Sequence, residues 1–418
     1  MNTKSQDFET NRRLARELPL QQIDVSDGYL FRDDSIGHYF ARLREEDPVH
    51  FQPSSRFGPF WSITRFKDIR EVELNHEAFS SAQKHGGITL TSPMSELQLG
   101  SFIAMDPPRH DEQRKTVNSV AMPANLAKLE ATIRQRTCTV LDSLPVNKEF
   151  DWVENVSVNL TTQMLATLFD FPFEERHLLT WWSDMATGHA KDAGPVTSTQ
   201  MQKEELNKCF EYFSRLWEDR IKAPPANDLI SMMAHSTSTR NMPKDEYCGN
   251  LLLLIVGGND TTRNSMSGGV LALHEHQNQF EKLQENPSLV SSLVPEIIRW
   301  QTPLAHMART AVKDTVVAGK TIRTGDRLAL WYLSANRDPE VIDQPDEFII
   351  DRKNPRLHLS FGFGIHHCMG SRLAELQLRI LWEELLPRFS RIAVTGKPER
   401  TLSNFVRGFN RLPVTLST

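Results

Sequence analysis

Apolar residues recur along most of this chain with a helical spacing, broken by short alternating or irregular stretches. Leu373, Leu376, Ile380, Leu381 and Leu385 share one helical face. The longest helical stretch runs from about Pro243 to His276, enough at ~1.5 Å per residue to cross a whole domain. Shorter helices are expected over Phe66–Phe79, from Asp106-Pro107-Pro108 onward, and over 124–143, 152–170 and Glu174–Ala190. Another continues to about Lys222 after a break at Gly194-Pro195. Asp106 is the expected cap of its helix, with proline in the first turn. Trp181 and Trp182 are adjacent and cannot face the same way, so at least one packs. Val49–Phe51 and Phe60–Thr64 suggest a strand pair, and Val316–Gly319 with Thr321–Ile322 a hairpin turning at Gly319-Lys320. Ile392–Leu416 alternates like a last small sheet, with Phe405 at a turn. Lys84–Phe102 has no clean period and reads as a long loop, which in a compact domain is often functional. Residues 1–25 read as a mobile, polar arm.

Charge and cysteine usage narrow the class. The 418 residues carry a net charge of −5, which does not suit a nucleic-acid binder. Cys138, Cys209, Cys248 and Cys368 are widely scattered; they form no disulfide framework and fit a reducing cytoplasm. The polar N-terminus has no signal-peptide core. The longest apolar run, Leu251–Val256, falls far short of the ~20 residues of a membrane span. A cytoplasmic chain without a membrane anchor is expected.

The chemistry concentrates in Phe361-Gly362-Phe363-Gly364-Ile365-His366-His367-Cys368-Met369-Gly370. Glycines let the backbone turn sharply, and Cys368 stands just before a helix, where amide donors and the dipole favour an anion. A thiolate is expected there, as nucleophile or metal ligand. A buried cysteine in a Gly-rich turn is the plainer reading. A zinc site from His366, His367 and Cys368 lacks a second Cys/His pair to complete four ligands. Phe361, Gly364, His366, Cys368 and Gly370 match Phe-x-x-Gly-x-His-x-Cys-x-Gly. In this loop the chain resembles the cytochromes P450, the haem-thiolate monooxygenases. The resemblance implies a single mainly α domain with small β-sheets over 26–418, haem b as cofactor, and Cys368 as the axial ligand of its iron, where a thiolate favours O–O cleavage.

Further stretches carry the same resemblance. Gly257-Gly258-Asn259-Asp260-Thr261-Thr262 interrupts the apolar middle of the long helix. Interior glycines cost roughly 1 kcal/mol each, and a buried acid and alcohol add desolvation. The family has its oxygen-binding groove here, matched by Gly257, Gly258, Asp260 and Thr261, although its common first letter is alanine. Thr261 is thereby implied to hold dioxygen and relay protons, with Asp260 feeding that relay. His110 and Arg114 share a helix face; with Arg309 and His366 they are the implied holders of the haem propionates. Glu296, Arg299 and Arg352, the last after Asn336–Pro339 and Pro345–Phe348, are implied to form a buried structural network. Pro295 suggests a start or bend in that helix.

By analogy the substrate pocket is formed by Ile88, Leu97, Phe102, Ile103, Met185, Leu254, Ile255, Leu304, Met307 and Phe405. None is charged, which suits an apolar ligand. At finer grain, residues 257–265, 297–306 and 363–370 resemble the soluble bacterial alkane ω-hydroxylases. This implies terminal hydroxylation of a medium-chain alkane or fatty acid, with terpenes or sterol side chains as alternatives. The chain ends soon after the haem loop, so electrons are expected from a separate iron–sulfur ferredoxin and its NAD(P)H reductase. Arg109, Lys115 and Arg372 offer a basic docking patch. A non-catalytic haem protein that carries electrons or senses a gas is the reading from another class; it has no use for Asp260-Thr261 or an apolar cavity.

Overall fold

The structure is a computed structural model and describes residues 7–90, 99–187 and 198–418. The main helices are α1 (Phe8–Glu17), α2 (Ile36–Glu46), α3 (Phe66–Leu74), α4 (Arg109–Asn118), α5 (Pro123–Asp142), α6 (Asn159–Phe169), α7 (His177–Thr187), α8 (Thr199–Lys222), α9 (Lys244–Glu275), α10 (Val290–Gln301) and α11 (Ser371–Leu385). Strands β1 (Val49–Gln52), β2 (Phe60–Ile63), β3 (Phe79–Ser80), β4 (Met307–Ala311) and β5 (Arg327–Leu330) form one sheet in the order β1-β2-β5-β4-β3. Its pairs are antiparallel except β2 with β5. The chain's tail pairs Arg391–Val394 with Pro413–Ser417, which also takes in Phe150–Asp151. The expected hairpin forms from Thr315–Val317 and Lys320–Ile322.

Helix α9 has 32 residues and spans about 48 Å at ~1.5 Å per residue. Its first half, including Leu251 and Ile255, packs into a core with Leu165 of α6, Leu179 and Met185 of α7, and Phe210 and Phe213 of α8. Its second half, with Met266, Val270 and Leu273, joins Leu293 and Ile297 of α10 and Leu378 and Leu381 of α11. Each such side chain contributes roughly 1.5–3 kcal/mol of hydrophobic burial. Pro243 and His276 flank α9 as its caps. Among the described residues no helix is long and apolar enough to cross a membrane.

Several boundaries differ from the sequence reading. Residues 8–25, expected as part of a mobile arm, instead begin with helix α1 capped by Asp7. Ala15, Ile23 and Val25 are buried with Phe31, Phe40 and Trp331; the arm's few apolar residues suffice to dock it. Helix α3 stops at Leu74, and Phe79–Ser80 joins β4 through Ala311 and Thr310. Asp106 does not cap α4. Its carboxylate accepts from Ser80 Oγ at 2.5 Å and Ser81 N at 3.0 Å. The 152–170 helix begins as a π-helical turn over Val153–Val158. Helix α7 starts later than expected, at His177, and Gly194-Pro195 lies outside the described residues. Trp182 is buried, while Trp181 donates to Glu205 at 2.8 Å. Helix α10 runs through Pro295.

Glu296 is fully buried on α10. Its two oxygens accept from Arg299 at 2.7 and 2.8 Å, from Arg352 Nε at 3.0 Å and from Ile349 N at 2.9 Å. Arg299 and Arg352 then donate to carbonyls of residues 336–347, including Asn336 at 2.8 Å and Gln344 at 2.8 Å. One carboxylate thus ties the segment preceding the Cys368 loop to the helical core.

Candidate active site

The Cys368 loop is shaped by close backbone approach. Gly364 has φ +65°, and a Cβ there would lie 2.6 Å from Glu73 O of α3. Cys368 N donates to Phe361 O at 2.8 Å, closing the turn that ends at Gly370, the N-terminal cap of α11. Cys368 is exposed to a cavity of about 840 Å³, with its backbone held in the loop. Burial of the site nonetheless pushes the thiol's pKa up, against the Gly370 and Ser371 amides and Arg114, which favour the anion. A metal coordinated to this sulfur would hold it as the thiolate expected of a ligand.

Around Cys368 the cavity wall is cationic. His110 and His366 meet edge to face with ring centroids 4.4 Å apart. His366 Nε2 pairs with Ser81 Oγ at 2.9 Å and His110 Nδ1 with Asp111 at 2.7 Å, leaving His110 Nε2 and His366 Nδ1 buried without protein partners. Burial, then Arg309, His110 and Arg114, lower the His366 pKa to about 2. Arg114 donates to Ile365 O at 3.0 Å and also to His367 O, and Arg309 lies 3.4 Å from Glu73. Away from this cluster Ile88, Phe102, Ile103, Leu254, Leu304, Met307 and Phe405 give the cavity an apolar wall, joined by Gly257, Thr261 and Phe361; Gly258 borders it too, but its Cβ direction points at Leu165 of α6.

Three expected pocket or relay residues do not reach it. Ile255 and Met185 are fully buried in the core between α7 and α9. Ile255 packs into the core with Leu179 of α7, while Leu254 lines the cavity. Asp260 is also fully buried, on the α7 side of α9, with Ser183 Oγ at 3.2 Å and Arg263 at 2.9 Å. Arg263 continues to the half-buried Asp184 at 2.7 Å. Leu97 lies outside the described residues. Thr261 faces the cavity and donates to Gly257 O at 2.9 Å.

The sequence profile described as Cytochrome P450 matches residues 32–416. This chain belongs to the cytochrome P450 family. Among solved structures it is similar to CYP153D17 from Sphingomonas sp. PAMC 26605, at 48% identity and TM-score 0.90 over 96% of this chain and 100% of that one. Linalool 8-monooxygenase of Pseudomonas putida is 34% identical, covering 95% of this chain and 99% of its own length. The methyl-branched lipid omega-hydroxylase of Mycobacterium bovis is 30% identical over 96% of each chain. The chain is thus a P450 monooxygenase, and haem b is the cofactor of its family.

The P450 site fits that cofactor on its own geometry. One thiol, unscreened on the cavity side, faces a space flanked by two arginines and two histidines with orphaned ring nitrogens. That set suits one axial sulfur and two anionic carboxylates. Among the described residues no group of three or more His, Cys, Asp or Glu side chains could hold a bare metal ion. Sequence reasoning missed Leu253, Val256 and Ser265 on the cavity wall; counting helical turns from Thr261 finds Leu253 and Ser265 and excludes Ile255. It also missed Ser81, whose partnership with His366 spans 285 residues and leaves no local signal.

Proposed function

We propose that this P450 hydroxylates a terminal methyl group of a medium-chain alkane or fatty acid, with electrons from an iron–sulfur ferredoxin. The observation that carries the reading is the division of the cavity into a cationic floor around Cys368 and an apolar wall of Ile88, Phe102, Ile103, Leu254, Leu304, Met307 and Phe405. When bound, haem supplies the reductive activation of dioxygen, so that one oxygen atom enters a C–H bond and the other leaves as water at the cost of two electrons and two protons. Cys368 would ligate the iron, and His110, Arg114, Arg309 and His366 would hold the propionates. The apolar wall binds the alkyl chain and excludes water, and among the described residues the one arginine lining the cavity outside the floor is Arg56, stacked on Phe57. Thr261 can swing its hydroxyl from Gly257 O toward the cavity and pass a proton there. Arg263 cannot release a proton, because Asp260 and Asp184 raise its pKa against burial. Asp260 must therefore part from Arg263 to carry protons inward, and positioned proton transfer of this kind is worth ~10²–10⁴ in rate.

Exposed Lys115 and Arg372 support docking of an acidic ferredoxin, whereas Arg109 is tied to the buried Glu246. The relationship to linalool 8-monooxygenase favours a terpene alcohol as the second reading. The test is the ferric spin shift with n-octane, octanoic acid and linalool, followed by product analysis with a ferredoxin and its reductase. A thiolate-type Soret band of the reduced CO complex is expected, and its loss in Cys368→Ala. A histidine-type band in the wild type would overturn the ligand assignment. Product at internal carbons alone would remove the terminal-methyl reading.

A further inference from the structure

Arg327 lies on β5, away from Cys368, and its surroundings are unusual. Its guanidinium donates to three carbonyls of one short segment: His85 O at 3.1 Å, Gly87 O at 3.1 Å and Thr89 O at 2.7 Å. It also reaches Thr310 Oγ1 of β4 at 2.9 Å, which itself donates to His85 O at 2.5 Å. Among the described residues no carboxylate pairs with it; the charge that acts on it is Arg309, which with burial lowers its pKa to about 10. At neutral pH this half-buried group stays cationic, and its protein partners are carbonyl dipoles and one hydroxyl. Partial burial of a cation without a counter-charge is costly, and a planar fork is the group that can span several acceptors at once. The segment is fitted to it: Gly86 has φ +105°, and a Cβ there would lie 2.4 Å from Arg327 Nη1.

The same segment is part of the substrate-facing wall, since Gly86, Gly87, Ile88, Thr89 and Leu90 all line the cavity. Two further bonds hold it to the start of β4: Ala308 N donates to Ile88 O at 2.6 Å, and Leu90 N approaches His306 Nε2 at 3.5 Å. The other nitrogen of His306 donates to Asn404 O at 3.0 Å, beside Phe405 on a second wall segment. We propose that Arg327, assisted by His306, is a positioning residue that clasps residues 85–90 against the sheet and so sets where Ile88 and Leu90 press on the substrate. It acts through the loop and touches no reacting atom. A displacement of about 1 Å in such a wall can cost up to ~10²-fold in turnover.

This inference rests on the proposed alkane-hydroxylase reading only for its product readout. The test compares haem-loaded wild type with Arg327→Met, which keeps length but loses every donor, and with Gly86→Ala, which pushes the loop away while keeping the arginine. In both, hydrogen exchange at Ala308 and Leu90 should rise at least several-fold, while amides in the α9–α10 core stay unchanged. Binding of 1-phenylimidazole, followed spectrally, should change in both. With n-octane, KM should rise more than kcat falls, and the share of internal alcohols should grow. The double variant should be no worse than the poorer single one, since both release the same contact. Arg327→Lys, with one compact ammonium, should recover only part of each effect. Unchanged exchange at Ala308 and Leu90, or unchanged phenylimidazole binding, in folded Arg327→Met would overturn the clasp. If exchange and phenylimidazole binding shift but no hydrocarbon binds even the wild type, the clasp stands and the alkane reading falls.

Discussion

Two neighbouring glycines on α9 provide a sharp test of the cavity geometry. Gly257 and Gly258 occupy the same helix interior, so replacing either by alanine gains about 0.8–1 kcal/mol of helix propensity. Their surroundings differ. A Cβ on Gly257 meets nothing within 4 Å, because it would enter the cavity; a Cβ on Gly258 would lie 2.6 Å from Leu165 Cδ2. Leu165 is 1% exposed in a packed core, where overpacking costs about 1–3 kcal/mol. Gly257→Ala meets no protein atom and should therefore gain up to about 1 kcal/mol of helix stability. Gly258→Ala should range from neutral to about 2 kcal/mol destabilising. The two melting temperatures should differ by a few degrees, at about 2 °C per kcal/mol for a chain this large, read as loss of the thiolate-type CO signal on heating. The Gly257→Ala methyl also narrows the groove beside Thr261, so branched linalool should lose more affinity than linear n-octane. If Gly258→Ala melts as high as Gly257→Ala, the assignment of one glycine to the cavity and the other to the α6 contact is wrong.

Thr261→Ala should keep a normal spectrum and substrate spin shift, because its hydroxyl makes only a local bond to Gly257 O. Product per NADH should fall while peroxide rises, and unchanged coupling would remove Thr261 from the proton path. Glu296→Ala leaves Arg299 and Arg352 without their shared carboxylate, which should cost about 3–5 kcal/mol and lower haem retention; a denaturation midpoint equal to wild type would contradict the network. His306 is fully buried with its pKa lowered from 6.5 to about 4, so between those values the unfolded chain takes up a proton that the folded chain refuses. Its contribution is present above pH 6.5 and is lost as pH falls to about 4, roughly 3 kcal/mol at full extent. His306→Gln, which keeps a donor for Asn404 O, should flatten that part of the stability profile, and an unaltered slope would count against the burial argument.

Much of this P450 was legible from local pattern. The cysteine loop, the long helix with its polar interruption and the Glu296–Arg299 pair each depend on residues close in sequence. Periodicity recovered the ends of α9 to within a residue of their caps. The seven wall residues Ile88, Phe102, Ile103, Leu254, Leu304, Met307 and Phe405 came from the family resemblance and not from periodicity. Tertiary structure alone decided what depends on the far side of each element. Leu254 faces the cavity and Ile255 does not, because α7 covers one side of α9 and open space lies on the other. Asp260 is withdrawn onto Arg263 for the same reason. Cys368 sits at a helix terminus that favours the anion, yet burial raises its pKa, since desolvation depends on everything within several ångströms. Arg327 carries no local signal in the sequence, and only the return of residues 85–90 to β5 gives it three carbonyls. A hydrophobic period reports one element at a time, whereas solvent exclusion and charge balance are set where separate elements meet.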